Sequence, residues 1–232
     1  ADRFVPMFNA SLALSGPLLA LSANSPFLFG HALWHETRIA VFEQAFAGPL
    51  GAGEDPGRRR VGFGSGYLEA DPLHLFEENL RYHPVLLPVA QEGPEERLPH
   101  LRLHNGTVWR WNRPLVGFDA DGTPHLRLEL RIMPAGPSLI DMVANAAFYY
   151  GALFALAQDA GDLAARLPFA QARDNFYAAA RHGLGAEQTW LGGHRLSARD
   201  LLAGMVPAAR EGLLSQGVAR DLVDRYLDVI AV

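Results

Sequence analysis

The sequence contains no cysteine. That excludes a disulfide framework, a thiolate zinc site and a cysteine nucleophile, and it fits a reducing compartment, so a cytoplasmic protein is expected. Lysine is absent too, and every basic residue other than histidine is an arginine. If the protein binds phosphate or carboxylate through cations, guanidinium forks must do it. A P-loop lysine is missing, and Gly62, Gly64 and Gly66 in "VGFGSGY" lack the spacing of a dinucleotide fingerprint, so the stretch reads as a flexible turn. No Gly-x-Ser-x-Gly elbow occurs. Excess positive charge is lacking, with a formal net charge of -5, so a nucleic-acid partner is not expected. The apolar run 12–21 is short and interrupted by Gly16 and Pro17, and no basic region precedes it. Neither a membrane span nor a signal peptide is expected.

What is present suffices for a core: 232 residues, 49% of them hydrophobic and 19% charged. Helices are expected over 3–21, with a kink at Gly16-Pro17, and over 36–46. A further helix is expected over 71–82, with Asp71 as cap and Pro72 in the first turn. The stretch 48–60 is a Gly-, Pro- and charge-rich loop. Strands are expected over 100–105, 107–119 and 125–133, with "DADGTP" turning between the last two and strand character favoured before Pro114. "PHLRL" occurs twice, 25 residues apart, which suggests two strands in one kind of environment. Helices follow over 138–156, 167–181, 197–213 and 217–229, with Ser138/Asp141 and Ser197/Asp200 as capping pairs. The expected fold is one α+β domain, 1–232: an antiparallel sheet backed by helices, mixed over 1–136 and mainly helical over 137–232.

The last strand of that sheet carries the chemistry. Leucines alternate with His125, Arg127, Glu129 and Arg131, so one face is apolar and the other charged. The charged face is either a solvated edge with cross-strand ion pairs or the lining of a site. Trp109 and Trp111 around Arg110, and the helix N-terminus at Ser138, favour a site, since free backbone N–H groups attract anions. His100 and His104 share a face of their expected strand. With Glu129 they are either metal ligands of a hydrolase or ordinary hydrogen-bonded histidines.

Five segments in order, "LLALSANSPFLFG", "ETRIAVFEQ", "LHNGTVWRWNRP", "PHLRLELRIMPAGPSLIDMVAN" and "NFYAAARHGLGA", resemble the glutamate–cysteine ligase family, and most closely its bacterial carboxylate–amine ligase branch. The resemblance implies a curved antiparallel sheet like that of the glutamine synthetase catalytic domain. It also implies ATP-dependent amide formation through an acyl-phosphate, with Mg²⁺ bridging the ATP phosphates. The substrates would be glutamate, ATP and an amine such as cysteine, as in glutathione biosynthesis. It places Arg38 and Arg131 in catalysis; Asn24, Ser25, Arg127 and Arg181 at the substrate; His104, Asn105 and Arg110 near the nucleotide; and Glu129 on the metal. Family members carry an earlier half with further metal-binding glutamates, and here the chain opens at Ala1 without it. The expectation is therefore a C-terminal portion of a longer ligase, inactive alone because one carboxylate is a poor Mg²⁺ site. The open sheet edge would call for the missing half or a second copy as partner. A degenerate ligase fold serving as a binding or regulatory module is the alternative.

Overall fold

The computed structural model of the chain describes residues 3–46, 59–159 and 162–230. The expected loop 48–60 falls almost wholly outside them. The chain divides into two compact units, Ala1–Phe8 with Phe42–Arg131, and Asn9–Val41 with Ile132–Val232. Helices α1 (Phe4–Ser22) and α2 (Thr37–Ala45) contribute residues to both.

The first unit contains β3 (Val61–Gly62), α3 (Leu73–Tyr82), α4 (Pro99–Gly106), β4 (Trp109–Arg110), β5 (Asn112–Phe118) and β6 (Pro124–Leu130). The "VGFGSGY" stretch is not merely a turn: Val61–Gly62 pairs in parallel with Trp109–Arg110, and Val61 and Phe63 are buried. Strands β5 and β6 form an antiparallel hairpin with Arg113 opposite Glu129 and Leu115 opposite Arg127. Its turn is the expected one. Gly122 N–H donates to the Asp119 carbonyl at 3.0 Å, and the φ of +90° there suits glycine. Pro114 does not end β5, contrary to expectation. It sits opposite Leu128, and its carbonyl accepts from Asn105 Nδ2 at 2.8 Å. Among the described residues β6 pairs with β5 alone.

Residues 100–105 are helical, not a strand. Leu98 takes a left-handed conformation, φ +49°, and Pro99 opens α4, where a missing N–H costs nothing. His104 and Asn105 then face inward and are buried, and Thr107 Oγ1 closes the helix on the His104 carbonyl at 2.7 Å. The second "PHLRL" is a strand because alternation continues to Leu130 and β5 lies alongside. Thus α4 replaces the third strand, and the sheets are small: three antiparallel pairs and one parallel pair among the described residues. The mixed helix-and-strand class stands.

The second unit holds the hairpin of β1 (Phe27–Leu28) and β2 (His31–Ala32), then α5 (Leu139–Ala157), α6 (Leu163–Arg166), α7 (Phe169–His182), β7 (Glu187–Trp190), β8 (His194–Ser197), α8 (Ala198–Ser215) and α9 (Arg220–Ile230). The β7–β8 hairpin interrupts the expected run of helices. Ser138 with Asp141 forms a full capping box, and the Ser197 side chain accepts from Asp200 N–H. Helix α1 continues through Pro17 as one 19-residue helix. Gly16 serves close packing there, since a Cβ would lie 2.6 Å from Gln188 Oε1 and 2.8 Å from Asn175 Cβ. The expectation that no segment reaches bilayer length is corrected: α1 and α5, 19 residues each, are both long and apolar enough to cross a membrane. In α1, 72% of the apolar window is buried inside the protein, the pattern of a core helix.

In one place backbone packs on backbone. Where α5 crosses α8, a Cβ on Gly151 would overlap the Ala209 carbonyl oxygen, and one on Gly212 would overlap the Gly151 carbonyl oxygen. Nothing soft stands between the helices to yield. Gly212→Ala is expected to lower stability by about 1–3 kcal/mol in urea unfolding. Gly204→Ala, on the same helix with open space around it, should raise stability by about 0.5–1 kcal/mol.

Candidate functional site

The expected site residues fall into two sets, one in each unit. In the second unit, residues 24–37 run out from the end of α1 and back to the start of α2. The return strand docks on the last turn of α7, where His35 N–H and Glu36 N–H donate to the carbonyls of Arg181 and Ala180 at 3.3 and 2.8 Å. These are carbonyls that a helix C-terminus leaves unmet. Ser25 N–H donates to the His35 carbonyl at 3.2 Å, and Thr37 N–H to the Ser25 carbonyl at 3.1 Å, so the two arms of the loop are laced together. Gly183 lets α7 end beneath this loop, since a Cβ there would lie 2.8 Å from His35 Nδ1.

Asn24 and Ser25 of the loop and Arg38 in the first turn of α2 meet at one carboxylate. Glu36 accepts from Ser25 Oγ at 2.6 Å, Arg38 Nε at 3.0 Å and Asn24 N–H at 3.2 Å. The Arg38 Nη2 group donates to the Ile132 carbonyl, and Asn24 Nδ2 donates to the Ala135 carbonyl. The guanidinium of Arg181 lies over the Trp34 ring, 4.9 Å from its centroid. Of the residues expected at the substrate, Asn24 and Ser25 thus meet Arg38, Arg181 stacks on Trp34 of the same loop, and Arg127 lies in the first unit. Glu36 was missed. A glutamate two residues before an arginine gives no period, and only its complete burial distinguishes it.

The first unit holds the rest. Glu129 Oε2 accepts from Arg113 Nε across the hairpin at 2.7 Å and from Arg131 Nη1 at 3.4 Å. Arg131 also lies over the Phe42 ring, 5.8 Å from its centroid. Arg127 is exposed on β6. So the charged face of β6 does carry the cross-strand ion pair that a solvated edge would show. Trp109 and Trp111 pack against Phe42, and Trp111 Nε1 donates to Glu43 at 2.8 Å.

His104, Asn105 and Arg110 are inside the unit. His104 Nε2 bonds the His83 carbonyl at 2.9 Å, and Asn105 accepts from Asn79 Nδ2 at 3.0 Å. Arg110, 4% exposed, donates to Asn79 Oδ1 at 3.1 Å and pairs with Glu78 at 3.1 Å. These contacts tie α3, α4, β4 and β5 together. His100 lies on α4 and its Nε2 accepts from Gln91 N–H at 3.1 Å. Among the described residues no three histidine, aspartate or glutamate side chains gather as metal ligands, so the hydrolase constellation of His100, His104 and Glu129 is not formed. Arg102, on α4, lies over the Phe118 ring. At the start of α5 the Asp141 carboxylate closes back on the cap, its Oδ2 accepting from Ser138 N–H at 3.1 Å.

His83 lies in the same polar interior, and burial, helped by the nearby guanidiniums of Arg110 and Arg60, pushes its pKa down to about 4. It is thus neutral in the folded protein at a pH where the unfolded chain, near 6.5, binds a proton. Its contribution to stability is full above about pH 6.5 and is lost as the pH falls toward 4. Urea unfolding of the wild type should therefore weaken between pH 7 and 5, and His83→Phe should flatten that slope.

No curated protein matches the chain. A family model for glutamate-cysteine ligase family 2 (GCS2) matches residues 1–226, nearly the whole of the 232 residues, and the chain belongs to that family.

Proposed function

We propose that this chain is part of an ATP-dependent carboxylate–amine ligase of the glutamate–cysteine type. The observation that carries the reading is the cluster of Asn24 and Ser25 on a docked loop with Arg38 at the start of α2, in a chain of a ligase family. In this reading a carboxylate oxygen of glutamate attacks the γ-phosphorus of ATP and ADP leaves. The amine nitrogen then attacks the acyl carbon, loses a proton and expels inorganic phosphate. Such chemistry asks the protein mainly for positioning and for compensation of charge on phosphoryl oxygens. Arg38 and Arg131 are assigned to that charge, and Asn24, Ser25, Arg127 and Arg181 to substrate binding. His104, Asn105 and Arg110 take a supporting part at the nucleotide, because His104 Nε2, Asn105 Nδ2 and Arg110 Nη2 already bond within the protein. The β5–β6 hairpin would belong to a glutamine synthetase-like sheet.

The described residues do not by themselves fit Mg²⁺. That ion wants about six oxygens in octahedral array, whereas Glu129 is a single carboxylate already flanked by Arg113 and Arg131. Further carboxylates would have to join it, and without them the chain alone is inactive in this reading. The same flanking arginines favour one other reading, a ligase-like module that binds but does not turn over.

A hydroxylamine trap separates these. The chain and the full-length gene product are incubated with ATP, Mg²⁺, glutamate and hydroxylamine, and glutamyl hydroxamate is measured. Product from the full-length form alone is expected, with Arg38→Ala lowering its rate roughly 10²-fold. No product from either form, with nucleotide still bound, would replace the ligase by the binding module. Glu129→Gln is expected to weaken Mg²⁺-dependent nucleotide binding in the full-length form, and equal binding would remove Glu129 from the metal.

A further inference from the structure

Glu36 is 0% exposed. A carboxylate taken out of water is tolerated only where donors replace its hydration. Here the donors are Ser25 Oγ, Arg38 Nε and Asn24 N–H, the same residues that the ligase reading sets against the substrate. An ion pair kept for stability alone would gain little over an apolar contact of equal volume. The geometry does something an apolar contact cannot. Arg38 is gripped at Nε by Glu36 and at Nη2 by the Ile132 carbonyl, so its plane is set at two points, while 35% of its side chain stays exposed. On the other oxygen, the Asn24 N–H bond fixes the backbone that carries Asn24 and Ser25. The peptide of Glu36 is itself held by α7. A rigid helix end therefore sets the carboxylate, and the carboxylate sets the arginine.

We propose that Glu36 is a positioning residue. Through its buried carboxylate it orients Arg38 and the Asn24–Ser25 backbone toward an oxyanion of the substrate, a carboxylate or a phosphoryl group. The identity of that oxyanion rests on the ligase reading; the positioning does not. Fixing a guanidinium before the ligand arrives removes the entropy its binding would otherwise cost.

The test has two arms, both on the full chain. In the first, the Nε–H resonance of Arg38 is followed by NMR, assigned by its disappearance in Arg38→Lys, and inorganic phosphate is titrated in. The wild-type signal is expected away from the free-arginine position and to respond to phosphate. In Glu36→Gln it should move toward the free position and need about tenfold more phosphate. An equal response in the two proteins overturns the proposal. If Glu36→Gln does not fold, Glu36→Asp, which keeps the charge but draws it back by one methylene, is read in the same way.

In the second arm, hydroxamate formation by the full-length product is measured for Glu36→Gln, Arg38→Lys and the double variant. Glu36→Gln should lower kcat/KM roughly 10²-fold, and the double variant should fall within about twofold of Arg38→Lys, as expected of residues acting as one. Multiplying losses would mean a separate structural role and would overturn it. A wild type that makes no hydroxamate removes the ligase reading, and the phosphate titration then decides Glu36 on its own.

Discussion

A charge withdrawn from water must find its counterpart nearby, and both units are arranged around that demand. In the first, Arg110 is buried and answered by Glu78 and Asn79, which fixes where α3 stands against β4. In the second, the Glu36 carboxylate is answered by two side chains and a backbone N–H, which closes the loop between α1 and α2. The half-buried Glu129 is answered twice, from across the hairpin and from two residues along its own strand. With no lysine in the chain, each of these cations is a planar guanidinium, whose hydrogen bonds fix direction as well as distance.

Much of the fold was legible where local chemistry decides alone. The capping pairs at Ser138 and Ser197 start helices where expected, and Asp119–Thr123 turns the β5–β6 hairpin. Two identical pentapeptides mark the limit. "PHLRL" is a helix at 99–103 and a strand at 124–128. Alternation over five residues suits either, and the decision comes from outside: a left-handed Leu98 before one copy, and a paired neighbour beside the other. Likewise the β7–β8 hairpin has only four residues per strand, too few for its period to stand out between helices.

The candidate residues were legible through resemblance more than through pattern. Asn24, Ser25 and Arg38 proved to be neighbours. His104 and Asn105 turned inward because residues 99–106 form a helix and not the expected strand, and Arg110 on β4 is buried against Glu78 and Asn79. Glu36 escaped because a carboxylate in a polar loop reads as solvated, and its importance lies in partners that folding supplies.

The attachment of residues 35 and 36 to the end of α7 has a kinetic meaning. The β5–β6 hairpin joins segments a few residues apart and can close early. The loop's anchors, Ala180 and Arg181, lie far along the chain, and that closure must await a finished α7. A ribosome would have released most of the second unit before this loop could settle. The loop carrying Asn24 and Ser25 is thus ordered by a helix made long after it, and the contacts around Glu36 come into place only once α7 has formed.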